Sequence, residues 1–461
     1  MAVFPWVLAV FGLTSLVGAQ ADWRYVPLNG ATPALYNAYE GAFDFLRGVL
    51  VVHVNRDAPP HGFSTWEWNG TSWADRSTAN SPEYGPMAYD PSRGRVVKVE
   101  TFHLGNRSWV VWEWDGSTWT RIAPVMPTPR GGFMLGYDPN LREVLMVGVC
   151  DAVTWPADNC WSWNGTRWAQ RQSVPDPLGI GNPLLVTDHI RSRLLLAVAY
   201  HCVPNTGQSG TWQWDGNTWT MLAPPTQHTA WLGAAATYDG DRDRLVLVGG
   251  CLVGGPCNAE TWEFDGTTWN LVPTANSLRP GGGYITGYDF ANRRIVGWGG
   301  DVPALPSQRE RRVFIYETAW KAMYDISGGG CAGSGGIPWV ESERGGLPWI
   351  GDGFRLRVRG VAPGAASWMA TGFSAQSWGS VTLPWALDVV GAPGCWLRVE
   401  PFVWFPCTPD GNGVPTWSIT IPVATALAGL EFFNQVLVID PGVNALGAVL
   451  SNAYRSVIGI R

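Results

Sequence analysis

One octapeptide dominates this sequence. Trp66-Glu67-Trp68-Asn69-Gly70-Thr71-Ser72-Trp73 returns at Trp112–Trp119, Trp161–Trp168, Trp212–Trp219 and Trp262–Trp269. Each copy keeps an aromatic pair, then Asn-Gly or Asp-Gly, then a closing Trp. The spacing is about fifty residues, the mark of a repeat array. Trp-x-Trp alternates with period two, so both rings lie on one face of a strand. Asn-Gly or Asp-Gly supplies a tight turn that tolerates positive φ. The last Trp opens the returning strand. Each copy therefore reads as a β-hairpin with one aromatic face.

A second motif precedes each hairpin. Tyr89-Asp90 leads through Arg93 to Val96-Val97, and Tyr137-Asp138 leads through Arg142 to Val144-Leu145-Met146-Val147. Tyr238-Asp239 and Tyr288-Asp289 open similar runs, and weaker copies begin at Phe43-Asp44 and Thr187-Asp188. This too is a hairpin: a strand, an Asp-to-Arg turn, then a buried apolar strand. Two hairpins per repeat make a four-stranded unit.

Six such units predict an all-β chain built on a six-bladed β-propeller. The sixth Trp hairpin is degenerate, at Val313-Phe314-Ile315-Tyr316, and lacks Asp-Gly-x-x-Trp. Asp22-Trp23-Arg24-Tyr25-Val26-Pro27 resembles the missing last strand. The N-terminal strand is thus expected to complete the sixth blade and leave no open edge.

Composition fits. Of 461 residues, 57 are Gly and 29 Trp, and only 15% are charged. This favours short strands and tight turns, with enough apolar residues for a sizeable core. The net charge is −6 with scattered Arg, which argues against nucleic acid as a partner. Val3 to Val17 is apolar and Ala19-Gln20-Ala21 offers an A-x-A cleavage site, so residues 1–21 read as a signal peptide. No Lys or Arg precedes the apolar run, and a buried strand or an uncleaved anchor is the alternative. No later stretch is long enough to span a membrane. The mature protein is expected outside the cytoplasm, secreted or at the cell surface.

Eight cysteines agree with an oxidising compartment. Cys150 and Cys160 bracket one loop, and Cys251 and Cys257 bracket its equivalent two repeats later. Both pairs are expected to be disulfides, since neither has zinc spacing. Cys395 and Cys407 would stand roughly 40 Å apart across an extended stretch, whereas a disulfide needs Cα atoms within about 7 Å. Cys331 with Cys395 is therefore the expected third pair, leaving Cys202 and Cys407 unassigned.

The propeller repeats resemble Kelch repeats. Gly249-Gly250 and Gly299-Gly300 match the Kelch doublet, and Pro129-Arg130-Gly131 matches the segment entering a blade. Other blades lack the doublet, which makes this a divergent member. Sialidase-like Asp-boxes separate Asp and Gly by one residue, whereas here they are adjacent. The resemblance covers residues 22 to about 318, with the propeller placed at 22–325. Beyond the Gly-rich run from Gly328 to Gly336, residues 326–461 read as a small β-sandwich, from alternating runs such as Phe354–Arg359 and Gln435–Asp440. They resemble a C-terminal module of exported bacterial proteins, through Gly330-Cys331-Ala332-Gly333, Gly394-Cys395-Trp396-Leu397 and Leu427-Ala428-Gly429. That resemblance implies no activity.

Catalytic motifs are missing: no phosphate loop, no H-E-x-x-H, no G-x-S-x-G. Asp239, Asp241 and Asp243 have the spacing that opens a calcium loop, but the later Gly and Glu are absent. A polar turn with Arg partners is the expected reading. Loops joining second to third strands, and loops between blades, open on one face of a propeller. His53, His61, His103 and His201 fall in or at the first kind and His228 in the second. Asp151, Trp155 and Asp158 share that face, while His189 falls in a turn on the opposite side. The expected function is non-catalytic binding of a glycan or a protein through this loop face, with no cofactor. The alternative is an enzyme. The likeness to galactose oxidase would imply a copper carbohydrate oxidase, needing two His, a Tyr pair and a Tyr–Cys cross-link; no Tyr and Cys match that motif. A sialidase-type glycosidase would need an arginine triad.

Overall fold

The computed structural model describes residues 21–27, 30–33, 39–55, 62–100, 110–122, 133–148, 160–174, 180–201, 210–223, 233–251, 256–301, 312–318, 320–343 and 346–460. Two compact units divide them, one at Asp22–Glu317 and one from Thr318 onward.

In the first unit, β1 (Asp22–Val26) precedes six sheets. The first holds β2 (Tyr39–Asp44), β3 (Val49–Asn55), β4 (Phe63–Trp68) and β5 (Trp73–Asp75). The second holds β6 (Met87–Asp90), β7 (Arg95–Glu100), β8 (Val110–Trp114) and β9 (Trp119–Ile122). The third holds β10 (Phe133–Asp138), β11 (Glu143–Gly148), β12 (Cys160–Trp163) and β13 (Trp168–Gln170). The fourth holds β14 (Ile180–Asp188), β15 (Arg193–His201), β16 (Thr211–Trp214) and β17 (Trp219–Ala223). The fifth holds β18 (Ala235–Asp239), β19 (Arg244–Val248), β20 (Thr261–Phe264) and β21 (Trp269–Val272). The sixth holds β22 (Gly282–Asp289), β23 (Arg294–Asp301) and β24 (Val313–Glu317), and β1 completes it by pairing Trp23 with Tyr316.

Every sheet is antiparallel. The first strands β2, β6, β10, β14, β18 and β22 touch in that order, and β22 returns to β2. The unit is a β-propeller.

The repeated Trp residues join neighbouring sheets. Trp114 Nε1 donates to Glu67 Oε1 of the preceding sheet at 3.0 Å, and Trp163 Nε1 to Glu113 Oε1 at 2.9 Å. The closing Trp of the motif donates one register back: Trp119 to Thr65 Oγ1 at 2.8 Å and Trp269 to Thr211 Oγ1 at 2.8 Å. Trp23 of β1 does the same to Thr261 Oγ1 at 2.7 Å, and Tyr316 donates to Glu263 Oε1 at 2.7 Å. Between the sixth and first sheets the joint is apolar. Leu50, Val52, Trp68, Trp73, Trp298 and Ile315 form one buried cluster there. Trp73 and Trp298 meet with ring centroids 5.6 Å apart, and Trp73 Nε1 is buried with no hydrogen-bond partner among the described residues.

The second unit holds β25 (Met323–Ser327), β26 (Trp339–Ser342), β27 (Gly353–Arg359) and β28 (Ser367–Gly372). The two-residue strands β29 (Ser377–Trp378) and β30 (Val381–Thr382) pair, as do β31 (Trp385–Ala386) and β32 (Trp396–Leu397). Then come β33 (Val403–Pro406), β34 (Thr408–Pro409), β35 (Pro415–Thr420), β36 (Glu431–Ile439) and β37 (Ala448–Val457). One sheet runs β25-β37-β36-β28-β33 and another β26-β27-β35-β34. Phe354, Leu356 and Trp417 of the second share one core with Met369, Val436 and Tyr454 of the first.

Three expectations change. β25 pairs with β37, Met323 opposite Val457, so residues 318–325 belong to the second unit and not to the propeller. Cys251–Cys257 and Cys331–Cys395 are disulfides, but Cys160 is a free thiol. Cys160 lies on β12 opposite Val147 and packs with Leu145, Leu194 and Trp214 between two sheets, where it acts as a small apolar side chain. Burial raises its thiol to about 12. Third, His53 is not on a face, as described below. Cys150, Cys202 and residues 1–20 of the expected signal peptide lie outside the described residues. No helix among the described residues is long and apolar enough to cross a membrane.

Candidate functional site

The first strands of the six sheets run side by side around a channel of about 630 Å³. Its wall is mostly strand edge and small or apolar side chains, among them Ala42, Ala88, Gly136 and Gly287. Among the described residues, Glu40 is the one charged side chain that lines it.

The Asp-to-Arg turns stand at one end of the channel. Each turn begins at a buried Asp: Asp44, Asp90, Asp138, Asp188, Asp239 and Asp289. Asp90 Oδ1 accepts from the N–H of Ser92 at 3.0 Å and of Arg93 at 3.3 Å, and its Oδ2 pairs with Arg93 Nε at 2.8 Å. Arg93 reaches on to Glu113 of the Trp motif at 2.5 Å, so the two motifs of a repeat lock each other. Arg242 repeats this between Asp239 and Glu263 in a site almost closed to water. Four residues after each Asp the backbone is left-handed. Gly48 and Gly94 fill that position in two turns, but Arg142, Ser192, Asp243 and Arg293 fill it in four, with φ from 50° to 57°. A non-Gly residue there is strained.

Those four residues tie turn to turn. Ser92 Oγ donates to the Arg142 carbonyl at 3.1 Å, and Asn140 Nδ2 to the Ser192 carbonyl at 2.5 Å. Arg191 grips Asp243 with two bonds of 2.5 and 2.6 Å, and Arg293 pairs with Asp241. Phe45 completes the circle, 5.1 Å from Tyr89 on one side and 5.0 Å from Phe290 on the other. The expected polar reading of the Asp239-Asp241-Asp243 turn holds: each carboxylate faces its own Arg.

Over this end of the channel lie Phe45, Phe290 and His189. His189 meets Phe290 edge-on at 4.6 Å and Tyr238 at 5.6 Å. It reaches across the neighbouring turn because Gly240 stands there; a Cβ at that position would overlap His189 Nε2. Burial lowers the His189 pKa, against the pull of Asp188, Asp239, Asp241 and Asp243. The adjacent turns also expose Leu46 (64%) and Ile190 (51%), giving the rim an apolar face.

The expected loop-face set is placed differently. His53 lies within β3, fully buried, stacked on Phe63 at 5.2 Å and edge-on to Trp119 at 5.7 Å. Its strand position, nine after the turn Asp, is Val99, Val147, Ala197, Val248 and Trp298 in the other repeats. That position packs against the closing Trp of the next repeat, so His53 is a core residue; the apolar run of its equivalents was the signal. Burial, aided by the Lys98 ammonium, holds its imidazole well below the ordinary value. His61, His103, Asp151, Trp155, Asp158 and His228 lie outside the described residues, and of His201 only the β15 backbone is described. Among the described residues no three His, Cys, Asp or Glu side chains group as a metal site. Phe45, His189 and Phe290 were not singled out as site residues from sequence. Aromatic or Pro residues flanking the repeated Asp were their only trace.

No protein-family model matches the chain, and no curated protein matches it. Solved structures do resemble it. A protein of unknown function from Dyadobacter fermentans has a TM-score of 0.46 and 12% identity over 64% of this chain and 98% of its own. A gluconolactonase from Xanthomonas campestris has a TM-score of 0.39 and 15% identity over 64% and 97%. TolB from Acinetobacter baumannii has a TM-score of 0.37 and 9% identity over 63% and 66%.

Proposed function

We propose that this chain is an exported, non-catalytic binding protein, a divergent propeller of the Kelch type. It takes a glycan or protein ligand at the axial channel. The channel carries this reading: about 630 Å³, lined by apolar groups with few polar ones, and rimmed by exposed aromatics. Ligand sites have that size and character. The two disulfides support an oxidising, extracytoplasmic setting. His61, His103, Asp151, Trp155, Asp158, His201 and His228 belong to the opposite mouth in this reading, and the C-terminal unit serves attachment.

The test is binding to a glycan array and to surface-protein extracts by wild type and a Phe45→Ala/Phe290→Ala variant. Saturable binding weakened about tenfold in the variant is expected, the loss of one good apolar contact or more. Binding untouched by the variant would move the site away from this mouth. Chemical turnover of the bound ligand would replace the binding reading with the enzyme one.

A further inference from the structure

The channel is chemically lopsided. His189 and the two Phe rings line one end. Glu40 stands near the other, four residues up β2 from the turn Asp, about 13 Å of extended strand. Its surroundings are built. Glu40 Oε1 accepts from the Gly85 N–H at 3.2 Å and Oε2 from Lys98 Nζ at 2.8 Å. Lys98 Nζ also donates to the Gly85 carbonyl at 2.8 Å, closing a triangle. Gly85 is required: its φ is +151°, and a Cβ would overlap the Val99 carbonyl oxygen.

We infer that Glu40, held by Lys98 and Gly85, is the polar group of the channel that recognises a neutral, hydroxyl-bearing saccharide unit. This rests on the channel being the ligand site.

The argument is one of remaining capacity and charge. A carboxylate offers about four lone-pair sites, and the triangle uses two. The Glu40 side chain is 20% exposed and lines the channel, so the free acceptor positions are reachable. Lys98 is wholly buried and does not line the channel. It cancels the carboxylate charge without offering itself to a ligand. A second cation beside Glu40 would face the Lys98 ammonium in a dry site. An anion would face the carboxylate. A neutral O–H donor meets neither penalty.

The walls at this level suit a sugar ring. Tyr84, Phe133 and Tyr284 line the same end as Glu40. Two of these rings are anchored through their phenols. Tyr84 Oη accepts from Asn55 Nδ2 at 2.6 Å, and Tyr284 donates to the Arg279 carbonyl. Phe133 and Tyr284 are buried, Tyr284 against Phe314, so half-buried Tyr84 is the ring left to pack against the C–H side of a saccharide while the carboxylate takes its hydroxyls.

Isothermal titration with the intact chain tests this, using oligosaccharides of neutral hexoses and N-acetylhexosamines beside their amine and uronic-acid counterparts. Neutral sugars are expected to bind, and both charged classes at least tenfold more weakly. Glu40→Gln should weaken the neutral sugar about tenfold. Because Gln leaves Lys98 without its anion, the Glu40→Gln/Lys98→Gln pair, checked for native circular dichroism, is measured alongside and should lose the same affinity. Equal or tighter binding of an amine or acid sugar overturns the inference. Neutral-sugar binding indifferent to Glu40 but lost in Phe45→Ala/Phe290→Ala overturns it and leaves the channel reading standing. Neutral-sugar binding indifferent to both changes, or no binding by any sugar, overturns it too; indifference to both also removes the channel reading.

Discussion

The joints around the propeller are made in two ways. Between the first and second sheets, Trp114 and Trp119 reach back to Glu67 and Thr65. Between the sixth and first, the places of Thr65 and Glu67 are held by Val313 and Ile315, which accept nothing. There Trp298 fills the space against Trp73. The same motif Trp is thus a hydrogen-bond donor at one joint and plain apolar volume at another. The difference shows that the ring needs a large flat side chain at these places. The polar bond adds registry to packing that burial already supplies.

The sharpest way to break this comparison is at the fifth-to-sixth joint. Glu263→Ala strips one of two carboxylate partners from Arg242, which is 2% exposed and keeps Asp239, and removes the acceptor of Tyr316. Losing two buried hydrogen bonds to a carboxylate should cost about 2–4 kcal/mol, read from the urea midpoint. An unchanged midpoint would show that these polar joints are dispensable. Glu67→Gln is milder. It keeps an acceptor for Trp114 but discharges the pairs with Arg47 and Arg76, one of them well exposed. A loss of about 1–2 kcal/mol is expected in the same measurement. In the opposite direction, Val313→Thr offers the closing joint the acceptor that Trp73 lacks. It should stabilise by up to about 1 kcal/mol, and a loss above that size would show the joint to be apolar by necessity.

The smallest effect is acid sensitivity of the Asp-Gly turns. Burial opposes ionisation of Asp115 and Asp265, but bonds from Thr118 and Ser117, and from Thr268 and Thr267, hold both at about 2. The folded value lies below the unfolded one near 3.9, so this contribution is complete above about pH 4 and is lost as pH falls toward about 2. Asn69 and Asn164 make the same turn without a titrating group. Hydrogen exchange should therefore show the second and fifth sheets loosening in that window before the first and third. Uniform loosening would remove the difference.

Much of this fold was legible because a repeat leaves the same trace many times. The closing role of Asp22–Val26 followed from its match to the last strand of other repeats, and it pairs as expected. The domain boundary did not follow. The sixth repeat has lost its terminal Trp turn, so nothing local marks its end, and Met323–Ser327 is claimed by a strand more than a hundred residues later. Cys160 misled for a related reason. Ten residues from Cys150 is near along the chain, but its strand position points it between sheets. The channel was invisible, because it belongs to six strands at once and to no segment. His53 was misplaced by one register of context: a His at a position kept apolar elsewhere is a core residue.

Pairing β1 with β24 also sets a clock. Asp22 is made roughly 300 residues before its partner Glu317, an interval of about 15–60 s at synthesis rates of about 5–20 residues per second. Until then the earliest strand has no place to go, and the five finished sheets form an open arc. Its two ends show the Trp68 and Trp73 face and the bare side of the fifth sheet. The last sheet is therefore both lid and latch, and the time before it arrives is when this chain is most exposed to misassociation.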